Sequence, residues 1–157
     1  MKAATVHQIK QELKTLEPDE ILELCLRLSK FKKENKELLT YLLYESADEA
    51  TYIESIKEEV DRQFEEINTA TYYYIKKSVR KVLRTIKKYV RYSDKKETEV
   101  ELLIYFCKKL AEFSPSMEGS KALRGIYDRQ KDAAFKAVSA LHEDLQYDFE
   151  ESLSSLK

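Results

Sequence analysis

Two glycines and two prolines in 157 residues leave this chain almost without the residues that turn a polypeptide sharply. Sheet proteins need them at nearly every hairpin, where the backbone requires a positive or a fixed φ. Apolar residues instead recur at three- and four-residue spacing along most of the chain, the pattern of amphipathic helices. The expected fold class is all-α. It is read as an irregular multi-helix bundle of about seven helices, with a short α-solenoid of antiparallel helix hairpins as the alternative. A chain of this length is the usual size of one domain, so 1–157 is expected to form a single helical domain, with 150–157 frayed at the C-terminal end. A hydrophobic fraction of 43% beside 36% charged residues excludes a disordered tail and is enough for a core.

The segments follow from spacing and punctuation. Val6, Ile9, Leu13 and Leu16 place a first helix over about Thr5 to Leu16. Glu17-Pro18-Asp19-Glu20 is a strong start signal, because Pro in the first turn forfeits no hydrogen bond and carboxylates suit the positive end of the helix dipole. A second helix is therefore expected from Pro18 and a third from Leu38 to Tyr44, paired as a hairpin across the polar link Lys32 to Lys36. Ile21, Leu22, Leu24, Cys25, Leu26, Leu28 and Phe31 cover so much of the second helix that it is expected to touch neighbours on more than one side. After Ser46-Ala47-Asp48 a fourth helix should run to about Asn68 on Ile53, Ile56, Val60, Phe64 and Ile67, and a fifth from Thr71 to Tyr92. The sixth, Glu97 to Phe113, is apolar over half its surface and is the candidate central helix. After the loop Ser114 to Ser120, one long helix carries Leu123, Ile126, Tyr127, Ala134, Val138, Leu141, Leu145 and Phe149.

The formal net charge is −1, so any attraction to nucleic acid or to an anionic surface must come from a local patch. Cys25 and Cys107 lie far apart in apolar stretches and read as buried, reduced thiols. No apolar run approaches the ~20 residues a membrane helix needs, and Met1 to Ile9 lacks the apolar stretch of a secretory leader. The expected compartment is the cytoplasm.

Catalytic and cofactor motifs are missing, and no cofactor or metal is expected. The chain has no glycine-rich phosphate loop, no Cys-x-x-Cys and no nucleophile elbow. His142-Glu143-Asp144 resembles the opening of a zinc-protease helix, but Gln146 stands where the second ligand belongs. A di-iron motif needs Glu three residues before that His, and position 139 is Ser. His142 is therefore read as a packed or half-exposed surface histidine, and the protein as not an enzyme.

Charge segregation is the informative pattern. From Glu45 to Asn68 there are nine acids against Lys57 and Arg62, whereas Thr71 to Tyr92 carries eight basic residues and no acid. At the helical repeat, Lys76, Lys77, Arg80, Lys81, Arg84, Lys87, Lys88 and Arg91 fall on one arc of roughly 140°, apart from the aliphatic arc. Tyr73 is a possible stacking residue beside them. Tyr72, Tyr73 and Tyr74 cannot all face inward, and Tyr89 and Tyr92 accompany the other end. If the acids of the fourth helix neutralise this strip, it is an ordinary charged rim. If they do not, it suits RNA or single-stranded DNA. The leading expectation is a non-enzymatic protein-protein interaction module, an adaptor or small scaffold with a protein partner or self-association. Nucleic-acid binding through the basic face is the alternative, and no membrane partner is expected.

Overall fold

Side chains that satisfy the free N–H groups of a first turn decide where several of the helices begin. Thr5 caps α1 (Val6–Leu13): its N–H donates to Gln8 Oε1 at 2.9 Å and its hydroxyl accepts from Gln8 N. The N–H of Glu17 donates to Glu20 Oε2 ahead of α2 (Pro18–Phe31), which places Pro at the first helical position. After α3 (Lys33–Thr40) a π-helical turn runs over Tyr41–Glu45. Asp48 caps α4 (Glu49–Glu65) and Thr71 caps α5 (Tyr72–Ser93). Then come α6 (Lys96–Glu112), a 3-10 turn at Met117–Gly119, α7 (Lys121–Ser139) and α8 (Glu143–Ser154).

The computed structural model describes residues 1–156, and among them are eight α-helices and no strand. The protein is an all-α multi-helix bundle. Eight helices stand where seven were expected because the last one is two. The backbone leaves the helix at Ala140, whose N–H bonds to Ala137 O, and His142 opens α8 by accepting from Asp144 N. Glu143 and Asp144 in the first turn of α8 suit its dipole, and that is the signal that marks the break. The link between α2 and α3 is also shorter than expected. Only Lys32, with φ −142° and ψ 149°, interrupts the helix, and Asn35 Nδ2 donates back to Leu28 O across the corner.

The chain divides into two compact units, Met1–Tyr44 and Glu45–Lys157. In the first, α2 packs on α3. In the second, α6 touches α4, α5, α7 and α8, and buries Val100, Leu102, Leu103, Ile104, Phe106, Cys107 and Leu110. The helix read as central is therefore central within its unit. A solenoid stacks each helix pair on its neighbours alone, so α6 touching helices ahead of and behind its neighbours in the chain makes this unit a bundle. Ile56, Val60 and Phe64 of α4, Ile75, Val79, Val82 and Ile86 of α5, and Leu123, Ile126, Tyr127 and Ala134 of α7 complete the core. Fully burying such side chains stabilises by roughly 1.5–3 kcal/mol each before chain entropy is offset. The end expected to fray is helical to Ser154 and buries Leu153 and Leu156, whose carbonyl accepts from Lys131 Nζ at 3.1 Å. Lys157 lies outside the described residues.

Asp94 ends α5 at φ 55°, the left-handed region, while its N–H bonds to Val90 O at 3.0 Å. A side chain there is strained, and a carboxylate at a helix C-terminus opposes the dipole. Asp94→Gly is expected to stabilise the protein by about 1 kcal/mol, read as a rise in the urea midpoint at unchanged slope. A fall in the midpoint would contradict this account of the cap.

Candidate interaction surfaces

Helix α5 presents the cationic strip as a surface. Its aliphatic face, Ile75, Val79, Val82 and Ile86, is buried in the second unit, so the opposite arc faces solvent. Lys77, Arg80, Lys81, Arg84, Lys87 and Arg91 are exposed, and Lys76 and Lys88 are half-buried. Among the described residues, none of the six exposed cations pairs with a carboxylate.

Four of the acids of α4 are engaged elsewhere. Asp61 accepts from the Tyr105 hydroxyl at 2.6 Å and pairs with Lys109 at 3.0 Å, both on α6. Glu59 pairs with Arg62 on its own helix, and Glu54 shares Lys57 with Glu101 of α6. Glu49 accepts from Ser93 and Thr98 and pairs with Lys95, which ties the start of α4 to the α5–α6 corner. The geometry explains this division. Tyr105 and Lys109 lie one turn apart on α6 and meet α4 along its acidic side, while α5 turns its basic arc away from both.

The tyrosines separate into two groups. Tyr72, Tyr73 and Tyr74 are all exposed, more of the triplet than the at-least-one that periodicity requires. Tyr72 still has an anchor: its hydroxyl donates to Ser116 O at 2.9 Å, and a Cβ at Gly119 would overlap that ring. Tyr73 sits within the basic arc, edge-on to Tyr74, with Lys76 Nζ 5.8 Å from its ring centre. Tyr89 and Tyr92 do not extend the strip. Tyr92 is buried, and Tyr89 packs edge-on to both Tyr92 and Tyr52, whose hydroxyl donates to Tyr89 O.

A second surface escaped the sequence reading. In the unit Met1–Tyr44, Leu22, Leu24, Leu26, Leu28, Phe31, Leu42, Leu43 and Tyr44 are exposed, and Tyr41 is the one buried residue. The broad apolar face of α2 was expected to meet neighbours on more than one side, yet within its unit it meets only α3 to any extent. Between them lies an open groove of about 270 Å³ lined by Cys25, Leu28, Ser29, Asn35, Leu38, Leu39 and Leu42. Cys25 is thus exposed rather than buried, while Cys107 is buried with its thiol pushed up to about 12 by desolvation. The missed signal was available: a unit of this size holding so many Leu has too few partners of its own to cover them.

A smaller cavity of about 160 Å³ brings Lys57, Glu101 and Tyr105 together beside Lys108, Phe149 and Ser152. Burial raises the Tyr105 hydroxyl above its ordinary value, and the Asp61 carboxylate raises it further. Burial raises Asp61 in turn, but the bonds from Tyr105 and Lys109 outweigh it and hold the carboxyl below its usual value. Both groups are therefore locked in their resting states at neutral pH, the opposite of a poised acid–base pair. His142 is an exposed helix cap, and no three His, Cys, Asp or Glu side chains among the described residues are grouped to hold a metal ion. None of the helices among the described residues is long and apolar enough to cross a membrane.

No protein-family model matches the chain, and neither a curated protein nor a solved structure matches it. The fold and the two surfaces carry the functional argument by themselves.

Asp61→Asn tests whether α4 is held to α6 by charge. A carboxyl depressed in the folded state adds stability above its unfolded pKa, and that stability is lost as pH falls through the folded value. The substitution is expected to cost about 1 kcal/mol at neutral pH, a charged hydrogen bond discounted for its partial exposure. The difference should close below about pH 4. A cost independent of pH would mean that the carboxylate's charge is not what matters.

Proposed function

We propose that this chain is a non-enzymatic helical interaction module, an adaptor or small scaffold whose N-terminal unit docks a protein. The observation that carries the reading is the unit Met1–Tyr44, in which Tyr41 alone is buried while α2 exposes leucines on both flanks. Soluble proteins rarely leave apolar patches of more than a few hundred Å² uncovered unless something binds there. The resting protonation of Tyr105 supports a non-catalytic role for the cavity that it lines with Lys57 and Glu101. Two free thiols fit a reducing, cytoplasmic setting.

The exposed cations on α5 favour a second reading, in which RNA or single-stranded DNA binds along Lys76 to Arg91. That face spans about 22 Å of helix. Six exposed cations there have no carboxylate partner among the described residues, and Tyr73 offers a ring for a base to stack on. The two readings use different units, so either can hold without the other.

Leu24→Asp should abolish retention of any protein bound stoichiometrically by the wild-type chain, with the helix content of the variant unchanged. A partner held equally by both chains would sink the docking reading. For α5, affinity for an unstructured oligonucleotide should fall with salt at a log–log slope of about −4, near 0.7 for each of six phosphates contacted. The charge reversals Lys77→Glu, Lys81→Glu and Arg84→Glu together should abolish binding. No binding at low salt would remove the nucleic-acid reading.

A further inference from the structure

We propose that the ligand of the α5 face is a single-stranded nucleic acid whose bases lie along Tyr73, Arg80, Arg84 and Arg91, with its phosphates held by the lysines on either side. The inference rests on the nucleic-acid reading and assigns its contacts. At about 100° per residue, these four side chains fall within about 20° of one line along the helix. Tyr73 and Arg91 stand about five full turns apart, so the line is about 27 Å long. All four are exposed.

The eight cations are sorted along this face. All three arginines of α5 stand on the line, and its five lysines stand about 40–80° to one side or the other, Lys76 and Lys87 on one flank and Lys77, Lys81 and Lys88 on the other. A solvated rim or an acidic partner makes no such distinction, because either cation serves it. Bases do. A guanidinium is a plane that stacks on a ring and offers its edge donors in a fixed fork, whereas an ammonium is a point charge suited to phosphate. Tyr73 completes the line with a ring of the same use. Tyr74 stands edge-on to it at 5.5 Å and Lys76 Nζ lies 5.8 Å from its centre, yet the ring is 63% exposed.

Only unpaired bases offer a face to stack on, and the flanks of α5 also disfavour a duplex. Gln63 Nε2 of α4 donates to Glu59 Oε1 at 2.6 Å and to Thr85 Oγ1 of α5 at 3.4 Å. Thr85 lies one turn from both Lys81 and Lys88, so a carboxylate borders that flank. A rigid duplex would bring one of its two phosphate rows to it, whereas a flexible strand can route its backbone past it to the lysines.

Fluorescence polarisation with the full chain at low salt tests the assignment against four probes: a labelled single-stranded oligonucleotide of mixed sequence, the same strand annealed to its complement, an abasic strand of equal length, and poly-glutamate. The single strand is expected to bind about tenfold more tightly than each of the others. The charge-conserving triple variant Arg80→Lys, Arg84→Lys and Arg91→Lys should weaken the single strand about tenfold at unchanged salt slope and leave the abasic strand unaffected, and Tyr73→Leu should act in the same direction. Lys77→Gln with Lys87→Gln should instead weaken both strands alike. Helix content should be the same in every variant. An abasic strand bound as tightly as the complete one, or a triple variant that loses nothing, overturns the base contacts while the nucleic-acid reading survives on phosphates alone. A duplex bound more tightly than the strand overturns the single-stranded assignment. No binding of any oligonucleotide, or poly-glutamate held equally well, overturns both this inference and the reading beneath it.

Discussion

The C-terminal unit depends on the burial of α6. Its apolar residues occupy more of the helix circumference than one neighbour can cover, and four helices close around it. Thr98 is drawn in with them, and its buried hydroxyl is satisfied by Glu49, so a polar group at the start of the helix carries no desolvation penalty. Around this core the other helices need only one apolar face each, which leaves their remaining arcs available to solvent or to partners.

That arrangement decides the electrostatics. An acidic and a basic helix adjacent in sequence suggest mutual neutralisation, and exposed ion pairs stabilise too little to enforce it. Packing settles the matter instead. Helix α4 turns Asp61 and Lys57 toward Tyr105, Lys109 and Glu101 of α6, and α5 inserts its aliphatic face, so its cationic arc points outward. A protein of almost no net charge thereby carries one surface of strong positive charge.

The N-terminal unit shows the opposite imbalance, with apolar residues in excess of what it covers. A helix pair of this size has a high ratio of surface to volume, and its leucines outnumber the sites where its own side chains can shield them. The two units thus present different chemistry. One offers a leucine face suited to another helix, and the other offers a row of cations suited to phosphates or carboxylates.

Helix class, most of the starts and the identity of the central helix were legible along the chain. Thr5, Pro18, Asp48 and Thr71 are local signals, and the 3.6-residue period of α6 needs no tertiary information. The grouping of Lys76 through Arg91 with Tyr73 on one face follows from the same period. The break at Ala140, the inward turn of Tyr89 and Tyr92, and the exposure of Cys25 were not legible, because each depends on which neighbours reach the position. Periodicity states that a face is apolar or charged and leaves open what lies against it. For that physical reason the sequence by itself determined the helices and their faces, whereas tertiary packing decided that Asp61 and Glu49 of α4 meet α6, that six cations of α5 stay exposed, and that the α2 leucines remain uncovered.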